Sequence, residues 1–260
     1  MSPEARLSPL LQAEDLSLRV GARVLLERLS MTVAPGQLWC VLGPNGSGKT
    51  TLLHTLAGLR SPDAGVVRLA GRPLAEWDTT EAARLRGLLP QTLHDAFSAS
   101  ALEIVLMGRH PHLSRWGWEG VVDHDLALAA LASVELESVA ARDVVTLSGG
   151  ERQRVGIAAL LAQDPPLLLL DEPVAHLDMR HQVVVLRLLR ELLRGANKAV
   201  VLSIHDLNLA RRFATHALVL GGVPVQGPVD EAMTEATLAA AFGHPVARRE
   251  IGDRVVFIAE

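Results

Sequence analysis

The chain has 260 residues, a formal net charge of -4, 49% hydrophobic residues and 21% charged residues. The hydrophobic and charged fractions exclude a disordered chain. The negative net charge gives no overall basic surface for nucleic acid, so no nucleic-acid partner is expected. The length suits one large α/β domain or a domain with an insertion, and the single cysteine, Cys40, excludes an internal disulfide and favours a reducing cytosol.

The residue pattern of the N-terminal part predicts an antiparallel β-region. Apolar residues alternate over 16–20, Gly21 marks a turn, and β-like segments continue to Val33. Pro35 and Gly36 form the next turn, and the apolar run 38–42 predicts a buried strand that includes Cys40.

A phosphate-binding loop follows this strand. Residues 43–50, GPNGSGKT, fit G-x-x-x-x-G-K-[ST], and a helical run comes next, which is the context the motif requires. The glycines let backbone N–H groups turn toward an anion, and the helix N-terminus adds positive charge. Lys49 is predicted to reach the β- and γ-phosphates, and Thr50 to ligate Mg²⁺. The predicted nucleotide contacts are Gly43, Pro44, Asn45, Gly46, Ser47, Gly48, Lys49, Thr50 and Thr51.

A helical insertion is predicted in the middle of the chain. A strand at 65–69, a helix at 79–85 and a short strand ending at Pro90 and Gln91 precede it. From Thr92 to about Asp143 strand signals vanish, and helix formers dominate 101–107 and 125–131. Trp116 and Trp118 are predicted to pack inside this insertion.

The remaining chain alternates strands with helices, which predicts an α/β fold with a mainly parallel sheet and phosphate chemistry at the carboxyl ends of its strands. The predicted elements are a helix to 161, a strand at 167–170, a helix at 179–194, a strand at 199–204, a helix at 207–213, a strand at 217–220 with a glycine turn at 221–222, a helix at 230–242 and a hairpin of 246–251 with 255–259.

Two carboxylates end the leucine strand 167–170. Asp171 has the position of a second Mg²⁺ ligand, and Glu172 that of a base for the attacking water. The alternative is that both carboxylates cap the next segment.

Residues 147–151, LSGGE, allow two predictions. One is a second anion-binding site at a helix N-terminus, and the other is an ordinary capping box of Ser148 with Glu151; the two are compatible.

These motifs together resemble the ATP-binding-cassette ATPases in order and approximate spacing, over nearly the whole chain. The resemblance implies a P-loop NTPase core at 1–91 and 144–260 and a helical subdomain at 92–143. It implies a head-to-tail homodimer in the ATP-bound state, with ATP and Mg²⁺ as cofactors. The implied catalytic residues are Glu172, His205 and Gln91; the implied metal ligands are Thr50, Gln91 and Asp171; the implied contacts made across the dimer are Ser148, Gly149, Gly150 and Asp178.

Two positions depart from the family pattern. The family stacks adenine on an aromatic residue near 19–21, where this chain has Val20 and no tyrosine at all. Val174 stands where Thr or Ser is common. Base affinity is therefore expected to be weak or to depend on an apolar surface.

The stretch 103–112 and His176 resemble the ATPase subunits of bacterial importers for vitamin B12, ferric siderophores and haem. This implies a cytoplasmic protein held on the inner face of the membrane by permease subunits, and indirectly served by a substrate-binding protein. The permease contact is expected between the Gln91 loop and about 92–109, with Phe97 as anchor, unless Phe97 packs in the insertion. The alternatives are a non-transport cassette ATPase, such as an assembly or repair factor, and a nucleotide-gated scaffold.

Overall fold

The computed structural model describes residues 8–92, 98–114, 117–195, 197–252 and 254–260. The strands are β1 Leu11–Val20, β2 Arg23–Val33, β3 Leu38–Leu42, β4 Ala64–Leu69, β5 Arg72–Pro73, β6 Arg86–Leu89, β7 Leu167–Leu170, β8 Ala199–Ser203, β9 His216–Val219, β10 Val225–Pro228, β11 Val246–Ile251 and β12 Arg254–Ala259. The helices are α1 Lys49–Leu56, α2 Thr79–Leu85, α3 Ala101–Met107, α4 Val121–Ser133, α5 Gly149–Gln163, α6 Met179–Glu191, α7 Leu207–Phe213, α8 Val229–Ala232 and α9 Glu235–Phe242.

The central sheet has the strand order β10-β9-β3-β8-β7-β6, and only β10 runs antiparallel to its neighbour. Strands β3 and β7 in the middle of this sheet are apolar and buried along their whole length because both faces are covered. Leu38, Cys40 and Leu42 face the core on the side of α3 to α7, whereas Trp39 and Val41 face α1 and the β-region. The mainly parallel α/β fold is confirmed, and burial raises the pKa of the Cys40 thiol, as expected of a structural cysteine.

The antiparallel β-region is confirmed as a sheet of order β2-β1-β4-β5. Its inner face packs apolar side chains of β1 and β2 against α1 and the central sheet in one cluster. The C-terminal strands β11 and β12 form a separate hairpin, also as predicted.

Backbone hydrogen bonds join the two ends of the insertion. The Ala101 N–H donates to Arg142 O at 2.9 Å, and the Val144 N–H donates to Ala99 O at 2.9 Å. Helices α3 and α4 pack on α5 through the larger core cluster, so the described residues of the insertion share the core of the rest of the chain. The boundaries 1–91, 92–143 and 144–260 therefore stay a prediction.

Apart from shifts of one or two residues in other bounds, the differences from the sequence-based expectations concern two helices and one tryptophan. The predicted helix 230–242 is two helices, because Thr234 accepts from the Thr237 N–H at 3.1 Å and begins a new one. Helix α6 ends at Glu191 instead of 194. Trp118 does not pack in the insertion, since 90% of it is exposed, and Trp116 lies outside the described residues. No helix in the described part of the chain is long and apolar enough to cross a bilayer.

Candidate active site

The P-loop joins β3 to α1 at the carboxyl edge of the central sheet. Gly48 precedes the helix with φ 100°, a left-handed conformation that favours glycine. A Cβ at Gly43 would lie 2.6 Å from the Leu220 carbonyl oxygen, so this position also has room only for glycine. The loop therefore has the geometry that its motif predicted.

Lys49 is buried inside this loop. Its Nζ donates to Gly43 O at 2.8 Å and to Pro44 O at 3.1 Å. Burial lowers the pKa of the Lys49 ammonium, while the carboxylates of Glu172 and Asp171 oppose that shift. Ser47 Oγ is buried and has no hydrogen-bond partner among the described residues. A buried ammonium beside an unpartnered hydroxyl fits a loop that receives phosphate oxygens.

The two carboxylates follow β7 at the same edge. Asp171 is fully buried, and its Oδ1 accepts from Ser203 Oγ at 2.6 Å. Glu172 has a φ of 50°, in the left-handed region, and its Oε1 lies 2.6 Å from His205 Nε2. Because β7 and β8 are adjacent parallel strands, the structure brings Asp171, Glu172 and His205 to one edge, as the sequence predicted.

A cavity of about 540 Å³ opens over this group, within the size range of small-molecule sites. It contains the predicted catalytic residues Gln91, Glu172 and His205 together with the P-loop. Its lining residues are Val20, Arg23, Leu25, Asn45, Gly46, Gly48, Lys49, Thr50, Thr51, Gln91, Glu172 and His205.

Two lining residues and one supporting residue were not predicted. Arg23 pairs with Val20 across the turn between β1 and β2, and Leu25 lies on the same strand. The two-residue turn at Gly21 was the signal that placed Arg23 opposite Val20. Ser203, which contacts Asp171, carries no motif, and only its position at the end of a buried strand pointed to it.

The LSGGE stretch forms the N-terminus of α5. Ser148 Oγ accepts from the Glu151 N–H at 3.2 Å, and the Ser148 N–H donates to Glu151 Oε2 at 2.8 Å. This is a complete capping box, and the hydrogen bond from the Ser148 N–H lowers the pKa of Glu151. Of the two compatible predictions for this stretch, the capping box is confirmed.

A second cavity, of about 480 Å³, lies at this helix N-terminus. Asp178 borders it and caps α6, accepting from the His181 N–H at 2.8 Å. Its lining residues are Ser148, Gly150, Glu151, Arg154, His176, Leu177, Asp178 and His181, none of which lines the P-loop cavity in the described part of the chain. Within one chain, the signature residues and the P-loop residues thus form separate sites.

The donor set beside the P-loop fits a magnesium ion. Asp171 Oδ2 is buried and has no hydrogen-bond partner among the described residues. Thr50 and Gln91 add a hydroxyl and an amide oxygen on the cavity wall. Mg²⁺ prefers such oxygen ligands and usually takes only one or two carboxylates from the protein.

The family described as ABC transporter matches residues 26–175. The chain belongs to this family. It is 44% identical to the hemin import ATP-binding protein HmuV of Nocardia farcinica over 229 residues, and this alignment covers 86% of this chain and 78% of that protein. It is 40% identical to the cobalamin import ATP-binding protein BtuD of Halobacterium salinarum over 241 residues, and this alignment covers 91% of this chain and 60% of that protein.

Solved structures agree with this assignment. An inward-facing metal-chelate type ABC transporter superposes with a TM-score of 0.84 at 30% identity, covering 97% of this chain and 98% of that one. A dimeric ATP-binding cassette in a post-hydrolysis state, bound to ADP and Pi, superposes with a TM-score of 0.74 at 28% identity, covering 84% and 98%. The predictions of an ABC cassette fold and an importer-type ATPase are confirmed, and the non-transport alternative is not supported.

Proposed function

We propose that this cassette is the ATP-hydrolysing subunit of an importer for a metal chelate such as cobalamin, haem or a ferric siderophore. The observation that carries the catalytic part is the Glu172–His205 contact of 2.6 Å inside the P-loop cavity. The cargo class comes from the hemin and cobalamin import relatives and from the metal-chelate type neighbour.

The P-loop residues hold the triphosphate in this proposal. Backbone N–H groups of 43–51, except at Pro44, which has none, surround the phosphates. Lys49 exchanges its contacts with the loop carbonyls for β- and γ-phosphate oxygens. Thr50, Asp171 and Gln91 would hold Mg²⁺, which would neutralise charge on the phosphate oxygens.

Glu172 accepts the proton of the attacking water, and His205 holds that carboxylate and contacts the γ-phosphate. The Glu172 side chain is only 13% exposed, so few waters compete for it, and the 2.6 Å contact with His205 Nε2 fixes the direction of its carboxylate. Gln91 lies on the same cavity wall and senses whether the γ-phosphate is present.

The second half of the site comes from a second copy of the chain. Among the described residues, the signature cavity shares no lining residue with the P-loop cavity, so one ATP meets both only across a head-to-tail dimer. Ser148, Gly149 and Gly150 then face the γ-phosphate in trans at the N-terminus of α5, and Asp178 lies near the dimer axis.

Nucleotide choice is expected to be loose. Val20 is half exposed and stands beside Arg23, and an aliphatic surface with a guanidinium plane accepts any base. GTP should bind within about tenfold of ATP, a difference of about 1.4 kcal/mol. Competition of both nucleotides against a fluorescent ATP analogue measures this, with Val20→Tyr as the comparison that should strengthen both. A hundredfold preference for ATP would show that another residue recognises the base.

The permease contact is proposed in a groove that begins beside Gln91. The groove has a volume of about 330 Å³ and lies between β6, α3 and α5. Its α3 side falls within the range 92–109 in which the contact surface was predicted. Its rim carries Met107, which is 68% exposed, and Ile104 forms part of its apolar wall. Phe97, the predicted anchor, lies outside the described residues. A cytoplasmic segment of the permease with apolar side chains fits this groove, and a substrate-binding protein on the far side of the membrane completes the importer.

Met107→Asp is expected to abolish association with the permease, because it places a charge in an apolar contact. The isolated variant should keep its ATPase activity, since Met107 lines neither the P-loop cavity nor the signature cavity. The measurement is co-purification with the permease dimer in detergent, beside phosphate release by the free subunit. Val223→Asp is the matched control, because Val223 is 89% exposed in the β9–β10 turn. Permease binding by the Met107 variant would show that the groove is not the contact surface.

A further inference from the structure

Ser203 ends strand β8, two residues before His205, and its side chain is fully buried. Strands β7 and β8 pair in parallel with Leu170 opposite Leu202. The next residues along the chain are Asp171, directly after β7, and Ser203, the last residue of β8, so they lie side by side at the carboxyl edge of the sheet. The motifs of the sequence give Ser203 no role.

One hydroxyl contacts both acidic residues of the site. Ser203 Oγ lies 2.6 Å from Asp171 Oδ1 and accepts from the Glu172 N–H at 2.8 Å. A serine hydroxyl has a single proton. Because the Glu172 amide is itself the donor, the Ser203 proton is directed to the Asp171 carboxylate.

These two hydrogen bonds orient the Asp171 carboxylate and the Glu172 backbone. With Oδ1 engaged, Asp171 retains one buried oxygen, Oδ2, that has no partner in the described part of the chain. Glu172 has a φ of 50°, which non-glycine residues seldom adopt. The bond to its N–H holds this kink, which directs its carboxylate to His205 at 2.6 Å.

We infer that Ser203 is a positioning residue of the ATPase site. Its hydroxyl leaves Asp171 Oδ2 free for a divalent cation and holds the backbone turn that brings Glu172 into the P-loop cavity. The inference rests on the proposed function, because it assigns a role toward the cation and the base of that same site. Residues that orient metal ligands typically change metal affinity or activity by about 10–100-fold when they are replaced.

The test compares Ser203→Ala with Ser203→Thr, which keeps the hydroxyl. The matched control is Ser17→Ala, which removes a serine oxygen that accepts from the Arg28 N–H at 3.1 Å in the β-region. Free Mn²⁺ is followed by electron paramagnetic resonance as it titrates the ATP-loaded protein, and phosphate release is measured against Mg²⁺ concentration. ATP binding in EDTA and thermal melting report on the loop and on folding.

Ser203→Ala is expected to need about tenfold more cation for half-saturation and to turn over about tenfold more slowly. Its ATP affinity in EDTA should stay within about twofold of the wild type, because the P-loop is unchanged, and Ser203→Thr should restore the cation midpoint. A wild-type cation midpoint in Ser203→Ala would overturn the inference, whatever its turnover. If Ser203→Ala does not fold, Ser203→Cys, a weaker donor of similar size, must show a shift of the same sign. Absence of turnover in the wild type would instead contradict the proposed function.

Discussion

Replacing Glu172 with glutamine is expected to lower steady-state phosphate release at least ~100-fold while ATP binding persists. Glutamine keeps the size of the side chain and an oxygen that accepts from His205 Nε2, so the 2.6 Å contact can survive. It has no basic carboxylate for the proton of the attacking water. The variant should therefore hold ATP without consuming it.

The same variant reports on the dimer. ATP that is not hydrolysed should keep two copies together, so gel filtration with ATP and Mg²⁺ should show a dimer, whereas the nucleotide-free protein should elute as a monomer. Glu81→Gln is the matched control, because Glu81 is exposed on α2 and lines neither the P-loop cavity nor the signature cavity. A Glu172 variant that remains monomeric under ATP and turns over normally would contradict both the role of Glu172 and the shared site.

Local signals predicted the elements that position the site. Helix α2 has the predicted bounds because Asp78 caps it, accepting from the Thr80 N–H at 2.8 Å, and its last residues precede a strand. The P-loop was predictable because glycine is required at Gly43 and Gly48 for reasons of space and φ. The carboxyl-edge placement of Asp171 and His205 followed from apolar runs that end in polar residues.

The parts that the sequence did not predict depend on contacts between distant residues. Ser203 and Asp171 are 32 positions apart, and only the parallel register of β7 and β8 makes them neighbours. The left-handed φ of Glu172 has no composition signal, because glutamate seldom adopts it. Trp118 was predicted to be buried from its residue type alone, but the loop before α4 leaves it in solvent. The start of α9 was missed because Thr234 lies inside an otherwise continuous helical pattern.

Lys49→Ala should reduce turnover by on the order of 10²–10³, because it removes the ammonium placed to stabilise charge on the transferred phosphate. It should also abolish the rise in melting temperature that ATP gives the wild type, since a ligand stabilises a protein only in proportion to its binding. Phosphate release and melting with and without ATP are the two measurements. Near-normal turnover in this variant would exclude the P-loop as the catalytic phosphate site.

The chain supplies its own control, because Lys198 is its only other lysine. Lys198 Nζ donates to Asp164 Oδ1 at 2.7 Å and to Pro165 O at 2.9 Å, joining the end of α5 to the start of β8. Lys198→Ala should therefore lower the melting temperature without ATP, while turnover per folded molecule and the ATP-induced stabilisation persist. Lys49→Ala should show the opposite pattern, a folded chain that ATP neither stabilises nor uses as a substrate. Opposite results from the two lysines would separate a charge that serves phosphate from a charge that serves only the fold.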